Sequence, residues 1–424
     1  MSADINNTAY REQVLSELVQ KLHGGATVDD VKGEFEAAFG TVSATEIAAV
    51  EQRLINGGLP VTEVQRLCDV HAAVFKGSIE EIHRDDNPEL IFGHPVWIFK
   101  KENRALERLI ANELEKDLRA LESDPTGPTD LLDGDLERLA SIDIHYKKKE
   151  ELIFPFLEKY GIDAPGKVMW GVDDEIRADI KSARRLLAEF KPEDITELRT
   201  SIDDAVHGVN EMIFKEENIL LPMLLDHFTA SEWQAISEGQ SEYGFTLIRK
   251  PPLVWTASTA ELMIEEEAKN QNTDNADTAA IFEDVDNEAL VKLPTGVLNV
   301  TELTALLNTL PVDITFTDAN NNVKYFSESS ERIFPRTRAI IGRNVENCHP
   351  PKSVDKVEQV VENLRSGRKD VEEFWIQLHG KFVYIRYYAM RDENGTFLGT
   401  LEVTQNIQPL RELDGEQRLV DFGK

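Results

Sequence analysis

The densest run of charged and metal-ligating side chains is His145-Tyr146-Lys147-Lys148-Lys149-Glu150-Glu151-Leu152-Ile153-Phe154-Pro155. It returns as Met212-Ile213-Phe214-Lys215-Glu216-Glu217-Asn218-Ile219-Leu220-Leu221-Pro222, so that the two copies aligned on their prolines form an internal repeat. In each copy a charged helical segment runs into an apolar cluster, and the proline bends the last turn or starts a new one. Two such helices can face each other in a bundle. A buried position that carries His or Glu needs a partner for its charge, and facing helices with several such positions are where bundles build metal sites. A second group is Cys348-His349, whose loop is stiffened by Pro350-Pro351, with His379 further on. A third is Cys68 and His71, three apart on one helical face. Two ligands fall short of the four that a structural zinc takes, so packing competes with metal binding for that pair. No Gly-rich phosphate loop, nucleophile elbow, kinase motif or cyclase motif is present, which points to a binding protein rather than an enzyme.

The elements that must position these residues are legible in the punctuation. Residues 10–83 read as short helices, stopped at His23-Gly24-Gly25 and Asn56-Gly57-Gly58, with Ser43-Ala44-Thr45-Glu46 in the form of a capping box. Four longer helices are expected at 96–121, 130–160, 168–190 and 193–227, separated by Ser123-Asp124-Pro125-Thr126-Gly127-Pro128, by a break at 161–166 and by Lys191-Pro192. Short connections imply an up-down bundle. On the second helix Leu132, Leu136, Leu139, Ile142, Tyr146 and Ile153 form the inner arc, and Trp233 and its C-terminal neighbours close one end. Residues 261–288 have the composition of an acidic linker. After 293 the period changes. A helix over 300–310 precedes two alternating segments joined through Ala319-Asn320-Asn321-Asn322, a hairpin signal, and three strands come after it over 371–378, 381–390 and 395–405.

With 424 residues the chain is long enough for about three domains, each with its own core. The formal net charge of −32 argues against a nucleic-acid binder, because phosphate contacts need a basic face and none of the Lys/Arg clusters is isolated from acids. Two cysteines far apart in a long chain suggest a reducing, cytoplasmic compartment. No apolar run reaches the roughly 20 residues of a membrane-spanning helix, so no membrane is expected.

The His-Tyr-x-x-x-Glu-Glu-Leu-Ile-Phe-Pro run within four helices resembles the hemerythrin family, in its HHE cation-binding branch, over about 94–228. The first segment, with Leu67-Cys68-Asp69-Val70-His71, resembles the small helical domain of unknown function found in front of some hemerythrin-like proteins. The last, with Gly342-Arg343-Asn344-Val345-Glu346-Asn347-Cys348-His349-Pro350-Pro351 and its two-strand, helix and three-strand order, resembles a PAS sensor domain. The implied fold class is multidomain: mainly α, a small helical domain plus a four-helix bundle, followed by an α+β PAS domain. The expected boundaries are 1–86, 87–250, an acidic linker at 251–292, and 293–424.

The resemblance implies iron held by His and carboxylates from all four helices, with His94, His145 and His207 at the family's histidine positions. Glu150, Glu211 and Glu217 are the acids nearest to the rest of the ligand set. The pattern departs from the family at Lys149, which stands where a Glu follows the second-helix histidine by four residues. It departs again at Met212, at Trp97 and on the third helix, where Asp173, Asp174 and Glu175 replace a His-x-x-x-His pair. A lysine facing inward would pair with Glu217 or Glu150 in place of a metal. In the PAS segment Cys348, His349 and His379 are the candidate contacts to a cofactor, haem among them. A mononuclear or altered iron site, haem, and no cofactor therefore all stay open. The functional expectation is an intracellular sensor of oxygen, nitric oxide or redox state, with iron handling or cluster repair and a metal-free signalling scaffold as alternatives. Its expected partners are a small-molecule or gas ligand, an unidentified protein, and a second copy through the PAS domain.

Overall fold

A computed structural model describes residues 88–259, 261–263, 265, 287–378 and 380–415, together with scattered positions between 17 and 61. Cys68, His71, most of the acidic linker and His379 lie outside the described residues. The chain divides into two compact units, residues 1–271 and, apart from 350–352, residues 272–424.

In the first unit, the opening bundle helix is α1 (Pro95–Leu109), continued by a π-helical turn at Ile110–Leu114 into α2 (Glu115–Ser123). The second comprises α3 (Asp130–Ala140), α4 (Ile142–Lys148), a π turn at Lys149–Ile153 and α5 (Phe154–Lys159). The third is α6 (Ala164–Ala188). The fourth is α7 (Ile195–Lys215), a π turn at Glu216–Leu220 and α8 (Leu221–His227).

The π turns of the second and fourth helices fall on equivalent positions of the internal repeat, and each precedes a proline, Pro155 or Pro222. The cause is local. Proline has no N–H to give and its ring collides with the carbonyl four residues back, and one wide turn relieves both problems. The helix therefore runs on instead of ending.

The inner arc expected on the second helix is buried as a set, with Leu132, Leu136, Leu139, Ile142, Tyr146 and Ile153 each at most 2% exposed. Gly208 lets α7 approach α6 closely, since a Cβ there would stand 2.9 Å from Cγ1 of Ile176. Helix α9 (Ala230–Tyr243) opens with a capping box between Thr229 and Glu232 and buries Trp233 against His94 and Phe228. Among the described residues no helix is long and apolar enough to cross a membrane.

The second unit begins with a hairpin of β1 (Leu290–Leu293) and β2 (Gly296–Asn299), then α10 (Val300–Thr309). Its main sheet is antiparallel, ordered β4-β3-β7-β6-β5, from β3 (Asp313–Asp318), β4 (Val323–Phe326), β5 (Val371–Leu378), β6 (Lys381–Arg391) and β7 (Phe397–Asn406). The β3–β4 hairpin turns where the asparagine run placed it, with Asn321 at φ 67°. Helix α11 (Val354–Arg365) lies across the sheet and buries Val361 and Leu364.

Candidate functional site

Among the described residues, buried polar side chains meet in the bundle and again in the C-terminal unit. The first place is the centre of the bundle. His145, on α4, is fully buried, with Nδ1 2.6 Å from Oε2 of Glu102 on α1 and Nε2 3.0 Å from Oε2 of Glu216 on the fourth helix. Carboxylates only accept, so both ring nitrogens donate and the ring is an imidazolium. Burial alone would lower its pKa, but Glu216 and Glu102 outweigh burial and raise it. Lys148, three residues on, lies 2.5 Å from Oε1 of Glu102, which also accepts the Thr246 backbone N–H at 2.8 Å. Lys149, four residues on, reaches Oε1 of Glu216 at 2.6 Å and Oδ1 of Asp173, on α6, at 2.9 Å.

The result is a buried line of alternating charge, Lys148, Glu102, His145, Glu216, Lys149 and Asp173, drawn from all four helices. Burial pushes the carboxyls up, yet Lys149 and His145 hold Glu216 at about 2, and Lys148 and His145 hold Glu102 below its ordinary value. Asp173 is pushed up by burial despite Lys149. Beside the line, Arg177 grips Glu150 in a fork at 2.7 and 2.9 Å and reaches Asp143 at 2.8 Å. The Tyr146 ring is near both cations, its centroid 4.4 Å from the Lys149 ammonium and 5.4 Å from the Arg177 guanidinium.

Of the six metal candidates, His145 and Glu150 come to this centre, on separate ion pairs. His94 is the N-cap of α1: its Nδ1 accepts the Val96 N–H at 3.2 Å and its ring packs between Trp233 and Trp255. Burial lowers its pKa to about 4, so the ring is neutral. His207 is exposed on α7 and Glu211 is half-buried. Glu217 turns to Arg104 at 2.5 Å and Asn103 at 3.1 Å. Lys149 does face inward, but onto Glu216 and Asp173 in place of Glu217 or Glu150. The sequence pattern alone does not single out Glu102, Lys148, Arg177 or Glu216. A signal for two of them is nonetheless present: Lys148 stands one turn from His145, and Glu216 aligns with Lys149 in the repeat.

The second place is a cavity of about 540 Å³ in the C-terminal unit, between the sheet and α11. Val357, Val360 and Val361 of α11, with Ile340, Val345 and Phe374, give it apolar walls; Arg336, His349, Tyr387 and Glu402 supply its polar side. The loop that carries His349 is tied to the β3–β4 hairpin through Val345 N–H to Asn321 O at 2.9 Å and Gly342 N–H to Val323 O at 2.8 Å. The Asn344 side chain caps the 3₁₀ turn Val345–Cys348. The Nδ1 of His349 lies 2.8 Å from the Val345 carbonyl, so Nδ1 carries the proton and Nε2 keeps its lone pair. Burial lowers the His349 pKa, which keeps the ring neutral. The Cys348 thiol donates to the Asn344 carbonyl at 3.6 Å.

Residues 94–224 match the hemerythrin HHE cation binding domain, 15–81 a family of unknown function (DUF438), and 303–408 a PAS domain. The chain carries a hemerythrin-like domain followed by a PAS domain. Among solved structures, a C-terminal domain from Streptococcus mutans is 42% identical, with 30% of this chain and all of that chain covered and a TM-score of 0.29. The PAS domain of a protein from Colwellia psychrerythraea is 16% identical, over 26% of this chain and 98% of that one, with a TM-score of 0.22. A sensory box sensor histidine kinase from Vibrio cholerae is 13% identical, over 24% of this chain and 87% of that one, with a TM-score of 0.19. No curated protein matches the chain.

Hemerythrin-like and PAS domains together support a sensor role in general terms. The hemerythrin name also implies a cation between the four helices, and the residues of this bundle do not fit one. Both nitrogens of His145 are spent on carboxylates, and one oxygen each of Glu102, Glu216 and Asp173 is held by an ammonium group, so that of these three acids only Asp173 keeps a buried oxygen, Oδ2, without a hydrogen bond. Among the described residues, no three His, Cys, Asp or Glu side chains are arranged to hold a metal ion.

Proposed function

We propose that the protein is a sensor that takes its signal as a small molecule in the cavity of the PAS domain. The observation that carries this reading is the cavity itself: apolar walls, and a polar side with a neutral His349 whose Nδ1 is fixed on a backbone carbonyl. Such a site orients a ligand with an apolar body through a few polar contacts. Nε2 of His349 accepts from the ligand, Tyr387 and Arg336 can donate, and Glu402 can accept.

A second reading, haem as the resident group, draws on the same histidine. Metal-ligating imidazoles characteristically donate their other ring nitrogen to a carbonyl or carboxylate, which is what His349 does toward Val345. Haem would be held by His349 Nε2 against the valines of α11 and would supply gas or redox sensitivity. An iron-handling role finds less support, because the acids of the bundle centre already hold Lys148 and Lys149.

The test is the visible spectrum and native mass of the full chain purified from cells supplied with iron and a haem precursor, compared with His349→Ala. A Soret band that His349→Ala abolishes selects haem. A colourless chain carrying a small-molecule mass adduct that His349→Ala weakens selects an organic ligand. Retention of any chromophore or adduct unchanged in His349→Ala removes the cavity as the signal site.

A further inference from the structure

The bundle centre gathers carboxylates and a histidine from all four helices, and the chain's own cations lie among them. Three acids and a histidine, one from each of the four helices, are buried along one line, and an ammonium group sits on each acid. The Lys149 ammonium bridges Glu216 and Asp173 at 2.6 and 2.9 Å, and the Lys148 ammonium sits on Glu102 at 2.5 Å. Such groups, stripped of water, are tolerable only when every charge has a partner, and removal of one side of a buried pair leaves the other uncompensated.

The repeat shows how this arrangement is generated. Aligned on the prolines, Lys149 corresponds to Glu216, and in the folded bundle these two equivalent positions are in contact. Both open a π turn, Lys149–Ile153 and Glu216–Leu220, so each is delivered inward by the same backbone device. At this central pair of positions, one copy of the repeat supplies the cation and the other the anion.

We propose that Lys148 and Lys149 stand in this bundle as built-in replacements for bound metal ions. The bundle then closes without metal, and the carboxylates that held an ammonium group, with His145, become available to a divalent cation once that ammonium group is removed. Cobalt(II) suits this donor set of carboxylates and imidazole and reports its own coordination by its visible bands. The inference is independent of what the PAS cavity binds.

The experiment uses the full chain, titrated anaerobically with cobalt(II) and followed by melting temperature, metal content and visible spectrum. For the wild type, metal is expected far below stoichiometry in protein from iron-replete cells, with a melting temperature that neither cobalt(II) nor a chelator moves. Lys148→Met with Lys149→Met is expected to take up about one cobalt(II) per chain and to melt higher with it, since a ligand held only by the native state stabilises that state. Glu216→Gln added to the double variant should abolish that uptake. If the double variant does not fold without metal, Lys148→Gln and Lys149→Gln, made singly, must each gain a cobalt-dependent rise in melting temperature that the wild type lacks. The proposal is overturned by stoichiometric iron in the wild type with a chelator-sensitive melt, by lysine variants that show no cobalt uptake or shift, or by uptake that survives Glu216→Gln.

Discussion

At the scale of single residues, stability and function turn on which groups are charged and what faces them. Lys149→Ala leaves Glu216 and Asp173 without their shared cation, and we expect a loss of about 3–5 kcal/mol in urea unfolding. Exchange of an exposed partner such as Arg119, paired with Glu115, should cost about 1 kcal/mol or less. The pH dependence has a definite sign on each side. Glu216 titrates at about 2 in the folded chain, below its ordinary 4.5, so its contribution is full above 4.5 and is lost as pH falls toward 2. His94, lowered to about 4, adds a loss that begins below 6.5, and His94→Asn should remove that upper part of the acid limb. His145 is raised, so its contribution is full below 6.5 and disappears as pH rises through its folded value. Urea unfolding at a series of pH values should therefore show stability falling on both sides of mildly acidic pH. A flat acid limb in the wild type would contradict the assignment. Little of this chemistry was legible in the sequence, because the charge state of His145 depends on Glu102, 43 residues away, and on Glu216, 71 residues away. Lys149 could be recognised as a departure, but its partners could not be chosen between neighbouring acids, since one helical residue is 100° of rotation.

At the scale of elements, the sequence carried further. The inner arc of the second helix and the asparagine-rich turn between β3 and β4 are both local patterns. The π turns were not legible as such. Pro155 and Pro222 announced a disturbance, and only the packed bundle decides between a break and a widened turn. Strand β7 contains a second feature of this kind. A Cβ at Gly399, where φ is 150°, would stand 1.9 Å from the Thr317 carbonyl oxygen on the paired strand β3. No side-chain rearrangement relieves a collision with backbone, so Gly399→Ala should destabilise the PAS unit by about 3 kcal/mol or more. Calorimetry should show the transition of that unit moving down while the bundle's stays in place. An unchanged PAS transition would contradict the register of β3 and β7.

At the scale of the whole molecule, the formal charge of −32 sets the response to salt. Repulsion among exposed carboxylates is screened over about 10 Å at 0.1 M salt, so added salt should raise the melting temperature of the chain. The ion line inside the bundle is out of reach of that screening, and salt should not restore the stability lost in Lys149→Ala. The order of a hemerythrin-like bundle and a PAS domain was legible from motifs and element order, whereas the choice between His145 and His349 as a ligand contact was not. The repeat drew attention to His145, while folding spends His145 on an internal ion line and leaves His349 on the polar side of a cavity with apolar walls. The most direct measurement of this division is native mass spectrometry, with metal analysis, of the full chain from iron- and haem-replete cells beside its His349→Ala variant. The expected result is a bound molecule that is weakened or lost with His349 and no iron that survives its removal. Iron retained at one or two per chain in His349→Ala, and released by Glu216→Ala, would contradict it.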